Sequence, residues 1–123
     1  MIRIIGFNHV SLLVTDTQRA LGFYHGVLNL PVIHDRPELG FPGAWLDAGN
    51  GQQIHLLEIQ EKTTGELPEH GDRDRHFAMD ITDLDAAITA LDTADIDYTL
   101  SRSGRRALFC RDPDGNAIEL VEV

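Results

Sequence analysis

The chain contains its own sequence twice. Gly115–Val123, GNAIELVEV, repeats Gly51–Ile59, GQQIHLLEI, at an offset of 64, and His76–Asp83, HFAMDITD, lies without a gap over His9–Asp16, HVSLLVTD, at an offset of 67. The second alignment runs on past the shared Thr-Asp, carrying Ala20 onto Ala87, Leu21 onto Ile88 and Tyr24 onto Leu91. A single long period of this kind requires two copies of one supersecondary unit, with the same elements in the same order. The change of offset reflects a three-residue difference in loop length between the copies.

In the first copy, Phe7–Val14 is rich in Val and Leu and predicts a buried strand. Thr15-Asp16 is a natural helix start, and Ala20, Leu21, Tyr24, Val27 and Leu28 recur at helical spacing until Asn29 and Pro31 close the pattern. Strands are predicted over Val32–Arg36, Ala44–Asp47 and Gln52–Ile59, separated by the turn residues of Pro37–Gly43 and Gly49–Gly51. In the second copy Thr82 and Asp85 form a weak capping box, and Leu84, Ile88 and Leu91 make an apolar helical stripe. Tyr98–Ser101, Ala107–Cys110 and Ala117–Val123 complete it, the last preceded by the tight turn Asp112–Gly115. Each copy therefore reads βαβββ, an α+β arrangement. The first module spans about residues 5–60 and the second about 75–123, within a single domain. Residues 61–74 carry no periodic apolar face and read as a connector, in which Glu61, Glu66, Glu69, Asp72 and Asp74 form a solvated acidic loop.

A formal charge of −10 argues against nucleic acid or an anionic membrane surface as partner, because the only basic clusters, Arg73/Arg75 and Arg102/Arg105/Arg106, are short. The single cysteine, Cys110, rules out an internal disulfide, favours a reducing compartment and reads as a small buried hydrophobe. No apolar run is long enough to span a bilayer, and the opening MIRIIGFNHV has no signal-peptide core, so the expected location is the cytoplasm.

Placed on the repeat, His9 and His76 are equivalent in the first strands, and His55 and Glu119 are equivalent in the fourth. Strand alternation puts Ile54, Leu56 and Glu58 on one face and His55 on the other; likewise Glu119 opposes Ile118, Leu120 and Glu122. The steadily apolar face belongs beneath the helix, so His55 and Glu119 face away from it. Folding alone does not ask for His or Glu at all four equivalent positions. Three imidazoles and a carboxylate suit a divalent transition metal, with zinc, iron, nickel and manganese as candidates. His25, His34 and His70 have no symmetric counterpart and read as structural or solvated.

The phrase FNHVSLLVTD opening a helix that ends FYHGVLNL, the later HFAMDITDLDAA and the closing FCRDPDGNAIELVEV resemble the vicinal oxygen chelate superfamily. That group includes glyoxalase I, fosfomycin resistance proteins, methylmalonyl-CoA epimerase, extradiol dioxygenases and bleomycin-resistance proteins. The resemblance covers nearly the whole chain. It implies two βαβββ modules forming a curved mixed sheet around a metal, a small-molecule substrate and, for a chain this short, a homodimer. The superfamily's metal ligands fall on His9, His55, His76 and Glu119. This set is most similar to glyoxalase I and the epimerases, where two substrate oxygens approach the metal and a nearby glutamate moves a proton. The resemblance thus implies a metal-dependent lyase or isomerase with Glu119 as catalytic base.

The chain departs from glyoxalase I at two points. His55 stands where that enzyme has glutamate or glutamine, and Leu13 stands where the bacterial enzyme has an arginine for glutathione. The fosfomycin enzymes and the iron(II) dioxygenases use a two-His, one-carboxylate triad, which His9, His76 and Glu119 would supply without His55. SGRRALFCRDPDGN is similar to the fosfomycin thiol transferases and implies Arg105 or Arg106 for a substrate anion. A third class is a non-enzymatic drug or metabolite binder, as among bleomycin-resistance relatives, which generally lack the ligand set.

Overall fold

The computed structural model describes residues 1–60, 69–71 and 74–123. The chain divides into two compact units, Met1–Glu61 and Lys62–Val123. The first holds β1 (His9–Val14), α1 (Thr17–Leu21), a π-helical turn (Gly22–Val27), β2 (Val32–Ile33), β3 (Gly43–Gly49) and β4 (Gln52–Glu58). The second holds β5 (His76–Ile81), α2 (Leu84–Thr93), β6 (Tyr98–Leu100), β7 (Ala107–Arg111) and β8 (Ala117–Glu122). Each unit forms a four-stranded mixed sheet, in the order β1-β4-β3-β2 and β5-β8-β7-β6 respectively. The outer β1 and β5 run parallel to β4 and β8, and the remaining pairs are antiparallel. The α+β class predicted from the repeat is the observed one.

Register is repeated as well as order. Ser11 lies opposite His55 and Ala78 opposite Glu119; Trp45 lies opposite His55 and Phe109 opposite Glu119. Alternation then sorts the side chains by face. In the first unit Val14, Ala44, Leu46, Ile54 and Leu56 are buried, with Phe23 and Tyr24 from the helical segment. In the second, Leu108, Ile118 and Leu120 are buried, with Leu84 and Leu91 from α2. These are the helix-covered faces, and they leave His55 and Glu119 on the opposite ones.

The repeated glutamates on the helix faces are helix-start residues. Glu58 Oε1 accepts from the Thr17 N–H at 2.8 Å, and Glu122 Oε2 accepts from the Leu84 N–H at 2.8 Å. Asp16 and Asp83 are the N-caps, accepting from the N–H groups of Arg19 and Ala86, each at 3.0 Å. Two of the N–H groups that a helix start leaves without internal partners are thus satisfied by the same two residue types in each unit. The Thr82–Asp85 capping box is therefore corrected: Asp83, one residue later than Thr82, makes the cap. Asp83→Ala is expected to lower stability by about 1 kcal/mol. Urea unfolding should show a lower midpoint with an unchanged slope, and Asp83→Asn should retain most of the stability.

Several predicted bounds shift. β1 begins at His9 rather than Phe7, because its ladder partner β4 begins at Gln52, after a turn in which Asn50 and Gly51 take positive φ, and among the described residues no ladder reaches Phe7. The predicted single helix is α-helical over Thr17–Leu21 and then widens over Gly22–Val27, with the Leu28 N–H reaching back five residues to the Phe23 carbonyl at 2.9 Å. His25 Nδ1 donates to the Leu30 carbonyl at 2.8 Å and fastens this end, a structural role as read. β2 is only Val32–Ile33, so Arg36 lies outside the ladder.

Cys110 is buried in β7, and burial, then the charge of Asp112, push its thiol up to about 12. An unfolded chain releases this proton near 9.0, the folded one near 12, so this contribution to stability is full below pH 9 and falls as pH rises between the two values. Against a Cys110→Ala background the alkaline loss should be on the order of 3 kcal/mol by pH 12. Thiol reagents should modify the native protein at pH 8 only after denaturant is added.

Candidate functional site

The face of the first sheet opposite its helix carries three stacked rings. His55 lies between His9, with centroids 4.0 Å apart and planes at 17°, and Trp45, at 4.1 Å and 5°. The stack follows from register, since Trp45 is the cross-strand partner of His55 and His9 enters from the parallel neighbour. His9 Nδ1 lies 2.6 Å from Asn8 Oδ1, which as an amide oxygen accepts, so Nε2 keeps its lone pair. His55 Nε2 donates to Gln53 Oε1 at 2.8 Å, leaving Nδ1 as its lone-pair nitrogen. Burial, then the charges of His9 and Arg36, hold the pKa of His55 below the usual 6.5, which favours the neutral, lone-pair form.

The corresponding face of the second sheet pairs His76 with Glu119. His76 Nδ1 donates to the Asp74 carbonyl at 2.9 Å, which turns Nε2 toward Glu119 Oε2 at 3.5 Å. The Glu119 side chain is only 5% exposed, and its other oxygen accepts from Arg105 Nη2 at 3.1 Å. Phe109, the cross-strand partner of Glu119, stands edge-on to His76 with centroids 5.1 Å apart. Each chemically pointed residue of the fourth strands therefore has an aromatic ring beside it on the third.

The connector contributes to this second face. His70 is buried, packs edge-on against Phe109 and makes a 2.5 Å contact from Nδ1 to Thr99 Oγ1. A Cβ at Gly71 would lie 3.1 Å from Phe109 Cδ1 and 3.3 Å from Ala117 Cβ, so the backbone here runs close over the sheet. Asp74 accepts from Arg111 Nη1 at 2.7 Å, a bond that lowers its pKa, and is not the solvated acid the composition predicts. Glu61, Glu66 and Asp72 lie outside the described residues. Arg105 and Arg106, expected to await a substrate anion, are both engaged. Arg105 pairs with Glu119, while Arg106 reaches Glu122 at 2.7 Å and Asp85 at 3.5 Å.

The sequence-predicted residues are thus brought together as two pairs, His9 with His55 and His76 with Glu119. Among the described residues, no three His, Cys, Asp or Glu side chains gather as a ready cation site. The donor chemistry nevertheless suits a divalent transition metal. His9 and His76 have Nδ1 held by an oxygen acceptor, the arrangement that orients Nε2 for ligation, and Glu119 offers a carboxylate already held at one oxygen. His55 presents Nδ1 instead. Trp45 and Phe109 escaped the sequence reading although the 64-residue offset relates them directly; Asn8, Gln53 and Asp74 carry no comparable signal.

Comparison with known proteins agrees with this fold. The family model described as the Glyoxalase/Bleomycin resistance protein/Dioxygenase superfamily matches residues 6–120. "Glyoxylase I 4" of Arabidopsis thaliana is 32% identical over 127 residues, covering 97% of this chain and 71% of the relative. A lactoylglutathione lyase of Haemophilus influenzae is 27% identical, covering 93% and 90% respectively. Among solved structures, a glyoxalase family protein from Bacillus anthracis superposes with a TM-score of 0.78 at 23% identity, covering 99% of this chain and 98% of that one. The fosfomycin resistance protein FosX from Listeria monocytogenes, an E126Q mutant complexed with Mn(II) and dihydroxypropylphosphonic acid, gives 0.75 at 19% identity over 98% and 93%. TnmS3, an antibiotic binding protein from a Streptomyces species, gives 0.75 at 19% identity over 99% and 98%. The chain belongs to the glyoxalase/bleomycin resistance/dioxygenase superfamily.

Proposed function

We propose that the protein is a metal-dependent lyase or isomerase of the glyoxalase type, acting as a homodimer on a small oxygenated substrate that chelates a divalent cation. In this reading His9, His55, His76 and Glu119 are the ligands, contributed by one chain or by two, and zinc, nickel, iron or manganese is the cation. One observation carries it: equivalent positions of the repeat hold two donor pairs, with Nδ1 of His9 and of His76 each tied to an oxygen acceptor. Hydrogen bonds of this kind hold ligating imidazoles in one tautomer and orientation. The names of the Arabidopsis and Haemophilus relatives, and the Mn(II) complex of FosX, support the same reading.

The bound cation would supply Lewis-acid polarisation of the substrate oxygens. Glu119 would move the proton. It is buried, Arg105 holds Oε1, and Oε2 faces His76, so one oxygen is restrained while the other is available to accept a proton. The apolar and aromatic neighbours Phe109 and Ala117 limit water around it, which strengthens electrostatic effects at the carboxylate.

The test is to strip the protein with a chelator and titrate zinc, nickel, manganese and, under anaerobic conditions, iron(II), with calorimetry and elemental analysis. One metal per chain is expected, together with metal-dependent turnover of thiol adducts of small 2-oxoaldehydes or of epimerisable acids. Protein that retains no stoichiometric metal would overturn the reading. A second reading, a ligand-binding protein without chemistry, is favoured by the flat His9–His55–Trp45 stack and by the likeness to TnmS3. It requires tight ligand binding that a chelator leaves unchanged.

A further inference from the structure

Arg36 is a half-buried cation with no acidic partner among the described residues. Arg105, Arg106 and Arg111 each lie within 4.0 Å of an acidic side chain; among the described residues Arg36, Arg3, Arg75 and Arg102 do not, and of these four Arg36 alone is half-buried, in a chain with 20 acidic and 10 basic residues. The nearest acid in sequence beyond Pro37, Glu38, is turned to the Gly40 N–H at 2.8 Å. Arg36 is instead held by one backbone oxygen and one ring: Nη2 donates to the Phe41 carbonyl at 3.0 Å, and the guanidinium lies over the Phe41 ring at 5.4 Å. Its Nε is buried and has no hydrogen-bond partner among the described residues.

The place of this guanidinium is set by Gly43. A Cβ built on Gly43 would lie 3.2 Å from Arg36 Nη2, and Gly43 stands two residues before Trp45 on β3. Trp45 is the ring that stacks on His55. Arg36 therefore lies at the start of β3, two residues from the ring that stacks on His55, and its charge is felt at His55. A half-buried guanidinium fixed in orientation, with unused N–H capacity and no counter-ion among the described residues, matches a bidentate oxyanion better than it matches solvent.

We propose that Arg36 is a specificity-determining residue that receives an anionic group, carboxylate, phosphate or phosphonate, on a substrate whose other oxygens chelate the metal. The inference rests on the metal-site reading above and names the substrate class for that same site. The Phe41 carbonyl and ring orient the fork, and Gly43 leaves the room it occupies. Arg105 and Arg106 do not serve, because their carboxylates already hold them.

Two chelators that differ only in an anionic arm test this on the metal-loaded protein. Acetohydroxamate offers the chelating oxygens alone, and phosphonoacetohydroxamate adds a phosphonate. Binding is followed by calorimetry and by the fluorescence of Trp45, the only tryptophan. Wild type is expected to prefer the phosphonate compound by about tenfold or more, the scale of a charged hydrogen bond. Arg36→Gln should erase that preference while still binding acetohydroxamate, Arg36→Lys should retain part of the preference, and Arg106→Gln should retain all of it. Equal preference in Arg36→Gln and wild type, or no preference in wild type, with acetohydroxamate still binding, overturns the role of Arg36 alone. Absence of metal-dependent acetohydroxamate binding overturns the metal-site reading and this inference with it. Thermal melts of each variant separate lost recognition from lost folding.

Discussion

Glu119→Gln is expected to lose stoichiometric metal and metal-dependent turnover while keeping the fold. The substitution preserves shape, and the amide oxygen it introduces can still accept from Arg105, so nothing in the second sheet has to move. What disappears is the negative charge that complements a cation and the basic oxygen turned to His76. Loss of a general base alone costs on the order of 10²–10⁴ in rate, and loss of an anionic ligand adds to it. The Arg105 side chain is 61% exposed, so the charge in its pairing contributes little and thermal stability should change by roughly 1 kcal/mol or less. Calorimetric metal titration beside a thermal melt decides the matter. A glutamine variant that binds metal with wild-type stoichiometry and affinity would remove Glu119 from the site.

Gly43→Ala is expected to be the most disruptive single-methyl change in the first unit. An added Cβ would stand 2.2 Å from the Leu56 carbonyl oxygen, a backbone atom inside the β3–β4 ladder, so the strands must part rather than a side chain rotate. Leu56 and its neighbours Ile54 and Leu46 are almost wholly buried, and parting the strands opens their packing. Overpacking of this kind costs about 1–3 kcal/mol and more where backbone is displaced. Because the same methyl would press on Arg36, the variant should also lose the preference for an anionic ligand. Gly26→Ala is the control: its Cβ would meet nothing closer than 4.0 Å, and urea unfolding should place it within about 0.5 kcal/mol of wild type. Equal midpoints for the two variants would show that the ladder accommodates the methyl.

Much of the candidate site's geometry was legible because strand alternation and the repeat act together. Glu58 and Glu122 were separable from His55 and Glu119 by parity alone, and the structure turns the first two to the helix starts and the second two to the other face. The rest was not legible, for reasons that differ by residue. His70 looked like part of a polar connector, and only the path of the chain over Phe109 buries it. Arg105 and Arg106 looked like adjacent, equivalent cations, yet alternation on β7's approach sends one to Glu119 and the other to Glu122. Arg36 read as the end of a strand, and nothing in its neighbours showed that Phe41 would hold it over Gly43.

By itself the sequence determined the doubled βαβββ order, the face each repeated residue takes and which positions of the two copies are equivalent, since all three follow from period and offset along the chain. Only the tertiary structure decided the partners: Trp45 and Gln53 for His55, the Asp74 carbonyl for His76, Arg105 for Glu119, and Phe41 with the space above Gly43 for Arg36. The physical reason is that cross-strand register and loop path bring these groups within hydrogen-bond or stacking distance. Neither can be read from residue type or spacing, because each is fixed by where a second segment lands.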